Sequence, residues 1–123
     1  LLLHALAVAA AAAPGRLELW CSPDDSHPFL RAAAARHDAG LQVQQGEDLG
    51  ARMAHAFAQS LRRWRQVIIT GTDCPALGVA ELKAAADALQ DGQDAVFVPA
   101  EDGGYALAGL SREARQLFAG LAW

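Results

Sequence analysis

Three short stretches carry residue types that could do chemistry, and each follows an apolar run of strand length. In Val67-Ile68-Ile69-Thr70-Gly71-Thr72-Asp73-Cys74-Pro75, a single carboxylate, Asp73, stands just beyond the run. Gly71 allows close backbone approach and Pro75 stiffens the exit from the turn. A carboxylate held there can bind a hard cation such as Mg²⁺, which takes one or two protein carboxylates and leaves room for substrate phosphates. The plainer reading is that Asp73 caps the next turn or helix. The second stretch, Pro99-Ala100-Glu101-Asp102-Gly103-Gly104-Tyr105, sets two acids before two glycines and an aromatic residue. It suits a loop lying against a ligand, with Tyr105 stacking or donating a hydrogen bond; on local sequence alone a plain hairpin turn fits slightly better, though a hairpin does not need all five residues. The third, Gln45-Gly46-Glu47-Asp48-Leu49-Gly50-Ala51-Arg52-Met53, joins a strand end to a helix start, with Asp48 as the N-cap. Arg52 can reach a phosphate or hold the Glu47-Asp48 loop. The acids at the helix start oppose a phosphate there, and Gly50 in the first turn points to close packing or ligand approach.

Other chemistries lack their residues. The spacing is neither that of a P-loop nor that of a dinucleotide fingerprint. His4, His27, His37 and His55 lack the spacing of a metal-ligating helix and read as structural or solvated. No nucleophile elbow is present. Cys21 and Cys74 form neither a redox nor a zinc pair and read as reduced thiols of a cytoplasmic protein. Cys74 has no histidine near it in sequence to activate it.

The elements that position these stretches follow from composition and periodicity. A chain of 123 residues that is 53% hydrophobic and 20% charged can bury one core and fits one domain, 1–123. A net charge of −4 excludes a nucleic-acid binder of the basic-stripe kind. The cluster Arg62, Arg63 and Arg65 reads as charge complementing a helix C-terminus. Leu1 to Ala13 is alanine-rich and apolar. It lacks a basic flank and is too short to span a bilayer, so a buried helix, broken at Pro14-Gly15, is expected rather than a signal segment or membrane anchor.

A strand over 16–21 follows, then a helix from Pro28 to about His37 that Ser26 or His27 can cap, ending before Gly40. A strand over 41–45 leads to a helix whose apolar face is Leu49, Met53, Ala56, Phe57, Ser60, Leu61 and Trp64, with Arg52, His55, Gln59, Arg62 and Arg63 largely opposite. The run 66–70 reads as a central strand covered on both faces. A helix over 79–89, stopped by Asp91-Gly92, and strands over 95–98 and 105–110 come next. Ser111 is expected to cap a last helix from 112 to about 118. Strands that alternate with helices imply an α/β fold with parallel pairing, and ligands then bind at the carboxyl ends of the strands.

In this order the three stretches, with Leu117-Phe118-x-x-x-x-Trp123 after them, resemble a poorly characterised bacterial family. It belongs to the GT-A-fold, nucleotide-diphospho-sugar transferase superfamily, and some members are labelled arsenosugar-biosynthesis glycosyltransferases. The resemblance covers nearly the whole chain. It implies a Rossmann-like three-layer αβα sandwich with a mainly parallel sheet. It further implies that the usual first strand, with its nucleotide loop, precedes Leu1 and that a C-terminal portion is also missing. The chain by itself is then expected to be inactive, and to associate as a homo-oligomer through the strand edges left unpaired. The activity implied is metal-dependent glycosyl transfer from a nucleotide sugar. Asp73 would hold Mg²⁺ or Mn²⁺, Glu101 and Asp102 would be catalytic, and Asp48, Arg52, Gly103, Gly104 and Tyr105 would bind substrate. Two other readings stay open: a nucleotidyltransferase of the molybdopterin guanylyltransferase type, and a non-catalytic binding or assembly module.

Overall fold

The computed structural model describes residues 2–12, 15–72, 77–100 and 104–114. Among these the order is α1 (Leu2–Ala12), β1 (Glu18–Cys21), α2 (Pro28–Arg36), β2 (Gly40–Val43), α3 (Leu49–Leu61), β3 (Val67–Thr70), α4 (Val79–Gln90), β4 (Ala95–Pro99) and β5 (Tyr105–Leu110). The fold is α/β, as the alternation of periods predicts. Strands β1 and β2 pair in parallel, Glu18 opposite Gly40 through Cys21 opposite Val43. Strand β5 lies between β3 and β4 and is antiparallel to both.

The expected mainly parallel sheet is therefore met only in part. The chain passes from β4 to β5 in five residues, 100–104, too few for the crossover a parallel pair needs, so β5 must return antiparallel. Because β3 and β4 both oppose β5, they run in the same direction. The expected central strand over 66–70 is instead, among the described residues, the edge strand β3 of a three-stranded sheet, since its side away from β5 is joined to no other described strand.

The helix ends follow local capping chemistry. His27 caps α2: its Nδ1 accepts the Phe29 N–H at 3.1 Å, and Pro28 takes the first helical position. Helix α2 ends before Gly40, as expected, and the residue that turns the chain there is Asp38. Asp38 has φ +52°, its N–H donates to Ala35 O, and Ala39 N–H donates to Ala34 O at 2.8 Å, the paired bonds of a Schellman turn. A side chain in this left-handed conformation costs about 1–2 kcal/mol, somewhat less for Asp. Asp38→Gly is therefore expected to raise the unfolding free energy by about 0.5–1 kcal/mol, read from denaturant midpoints. A lower midpoint would count against the strain. At the end of α4, Gly92 at φ +108° makes the same turn, with Gln93 N–H donating to Ala88 O.

Two helices cover both sheets. On the three-stranded sheet, Val67, Ile69, Phe97, Ala108 and Leu110 face Phe57 of α3, while Ile68, Val96, Val98 and Leu107 face α4 and, on α1, Val8 and Ala12. On β1 the same alternation sends Leu19 and Cys21 toward Leu2 of α1 and Ala34 of α2. Trp20 turns instead to His55 of α3, ring centroids 6.0 Å apart. Glu18 binds Arg63, just past the end of α3, through two bonds of 2.9 and 3.2 Å. The sheets thus share one layer between α1 and α3, but among the described residues no strand pairing joins β1 to β3. Glu18 at Arg63 and Trp20 at His55 make β1 run against α3, and β3, entered from the C-terminal end of α3 and packed back on Phe57 through Val67 and Ile69, does the same, so β1 and β3 run in one direction.

Several expectations change. Helix α1 lies on the core rather than inside it: only Leu6 is buried. Helix α3 stops at Leu61, which leaves Trp64 outside it and 40% exposed; Leu49 at its start is 43% exposed. Arg63 serves Glu18 rather than a helix end. Residues 111–114 are not helical, and the rest of the expected last helix lies outside the described residues. The Ser111 hydroxyl donates to Gln93 O and Asp94 O, tying β5 to the start of β4.

Candidate functional site

Strand direction decides where the chemistry can gather. Because β1, β2, β3 and β4 share one direction, their carboxyl ends lie on one edge of the layer, and the described residues that leave them are 22–27, 44–48, 71–72 and 100. This is the edge at which α/β proteins place ligands.

Two predicted residues are fixed there by the start of α3. The Asp48 carboxylate accepts the Ala51 N–H at 2.7 Å, so one of its oxygens caps the helix, as its N-cap position predicts. Arg52, half-buried, donates from Nε to Gly46 O at 3.2 Å. Of its two predicted uses, holding the loop is the one seen, and its terminal amino groups extend beyond that bond. Gly46 makes the clasp possible: its φ is +145°, and a Cβ there would lie 2.7 Å from Arg52 N and 2.8 Å from Ala51 C. Gly50, in the first turn of the helix, is buried.

The second pair sits where β4 turns into β5. Gly104 is buried, and its carbonyl accepts the Ala100 N–H at 2.8 Å. Tyr105 is 37% exposed, with its ring 4.8 Å from that of Phe97. A register shift between Val98 and Pro99 bulges the ladder at this point. Bulges recur beside active sites because they re-aim side chains at a strand end.

Asp73, Glu101, Asp102 and Gly103 lie outside the described residues, and so does Cys74. Their described neighbours in sequence are Thr72 and Leu77 for the one stretch and Ala100 and Gly104 for the other. Among the described residues no group of three or more His, Cys, Asp or Glu side chains could hold a metal ion.

Two features escaped sequence reasoning. Segment 22–27 carries Asp24, whose carboxylate accepts from the Ser26 hydroxyl at 2.6 Å and the Ser26 N–H at 2.9 Å. Those bonds, the hydroxyl first, hold Asp24 below the usual carboxylate range. The Asp-x-Ser spacing was the available signal, and it marks a turn as readily as a site. His55 is the other. Of its two expected roles, structural or solvated, it takes the structural one, away from the polar face: it packs on Trp20, and its Nδ1 is buried without a hydrogen-bond partner. Cys21 behaves as expected of an unreactive thiol, since burial, then Asp25 and Asp24, push its pKa up.

The chain superposes on a solved structure from Desulfovibrio desulfuricans G20, described as a "putative nucleotide-diphospho-sugar transferase", with a TM-score of 0.81 and 29% identity. The alignment covers 98% of this chain and 53% of that one, so the chain spans about half the relative's length. No curated protein matches. No helix among the described residues is long and apolar enough to cross a membrane. A family model described as an uncharacterised protein conserved in bacteria (DUF2064) matches residues 5–123. The predicted resemblance, to a poorly characterised family like the nucleotide-diphospho-sugar transferases, therefore holds, and the chain belongs to the DUF2064 family.

Proposed function

We propose that this chain belongs to a protein that transfers a sugar from a nucleotide-activated donor, on a GT-A-like layer. The observation that carries this is that four strands end on one edge, in a chain similar over 98% of its length to a structure described as such a transferase. In this reading the free amino groups of Arg52 meet a donor phosphate, and Asp48 steadies the loop that presents Arg52. Tyr105 offers an exposed ring for the ligand to pack on, and Gly103 and Gly104 give it clearance. Glu101 and Asp102 take sugar or acceptor hydroxyls, and one of them accepts a proton. Asp73 would hold Mg²⁺ or Mn²⁺, which would supply charge neutralisation at the diphosphate leaving group. A cytoplasmic setting belongs to the same reading, since it suits both the free buried thiol of Cys21 and the donor class.

The test is thermal unfolding with Mn²⁺ and a panel of nucleotide sugars, run on this chain and on the D. desulfuricans relative. A donor at a hundred times its dissociation constant stabilises by about 2.7 kcal/mol. The relative is expected to respond to at least one donor. Any response of this chain is expected to vanish in Asp73→Ala. A response to nucleoside triphosphates but to no nucleotide sugar would make the protein a nucleotidyltransferase. Silence of both proteins toward every nucleotide would overturn the transferase reading in favour of a binding module.

The gap between β1 and β3 supports the second part of the proposal, that the chain alone associates through these edges. Gly40 N–H bonds to Leu17 O and Gln44 N–H to Cys21 O, so the backbone of Glu18 and Trp20 points away from β2. Likewise Gly71 N–H bonds to Ala106 O, so that of Ile68 and Thr70 points away from β5. Such edges recruit another strand. Light scattering on the isolated chain is expected to give a dimer or larger species, with the Trp20 and Ile68 amides protected from hydrogen exchange in it. A monomer at micromolar concentration would refute the association.

A further inference from the structure

We draw no further inference here: the strongest candidate, the shallow groove of about 580 Å³ bordered by Arg62, Trp64, Arg65 and Arg112 beyond the C-terminal end of α3, carries nothing because nothing in the structure shows what covers it.

Discussion

Gly46→Ala is expected to destabilise the protein by about 3 kcal/mol and to loosen the start of α3. Two causes combine. A non-glycine residue at φ +145° is strained by about 1–3 kcal/mol. The new methyl also meets main-chain atoms, Arg52 N at 2.7 Å and Ala51 C at 2.8 Å, rather than the yielding end of a side chain. Overpacking against a fixed partner costs about 1–3 kcal/mol. The loss of unfolded-chain entropy on replacing glycine returns only about 0.4–1 kcal/mol. Gly92→Ala separates the two causes: Gly92 has φ +108° with no atom within 4 Å of its would-be Cβ. That variant is expected to lose only about 1 kcal/mol. Denaturant titration of both variants checks the difference, and equal losses would show that close approach is not what requires glycine at 46. The functional consequence is specific. Relief of the clash moves Gly46 away from α3, so the bond from Arg52 Nε to Gly46 O is lost and the guanidinium is no longer aimed by the loop. A nucleotide-sugar response should therefore weaken more in Gly46→Ala than its stability loss alone explains.

The residues legible in the sequence were those whose conformations are set locally. Asp48 caps α3 because a short acceptor just before an apolar period of 3.6 has an orphan N–H within reach. Pro28 and the Asp91-Gly92 stop read correctly for the same reason. The bounds of Tyr105–Leu110 are legible because a short apolar run lies between a glycine pair and Ser111. What needed the third dimension was misplaced. Period alone cannot tell a solvated His55 from one packed on Trp20, because the helix serves two sheets at once and its buried arc is wider than a single stripe. Asp38 is not legible as the residue that turns the chain after α2, since a left-handed aspartate is tolerated rather than preferred. The direction of β5 is implicit in the hairpin reading of the 99–105 stretch, while the alternation of strands with helices points to parallel pairing. Of the candidate site, the helix-borne residues were legible in place and the strand-end loops only in order along the chain.

Phe57→Ala should be the most damaging side-chain truncation in α3. Phe57 is 1% exposed and packs with Ala108 and Leu110 of β5, against partners that include Val67, Ile69 and Phe97. Removing a buried phenylalanine costs about 3–5 kcal/mol, the transfer free energy plus the cavity left behind. Against a total stability of about 5–15 kcal/mol, the variant keeps a thin margin or none. A drop of about 10–20 °C in the thermal midpoint is expected. Phe57→Leu, which refills most of the volume, should lose roughly 1–2 kcal/mol. The reach of the effect follows from the position of α3. Its first turn holds Asp48 and Arg52, its middle holds Trp20 through His55, and Arg63 beyond its end holds Glu18. Phe57 fastens that same helix to the three-stranded sheet. Without it, the loop after β2 and the loops after β3 and β4 lose their common reference. Exchange at the amides of β1 should then rise along with that of β3, although Phe57 belongs to the cluster on β3 and β5. If β1 stays as protected as in the parent while β3 opens, the two sheets are stabilised independently, and α3 does not couple them.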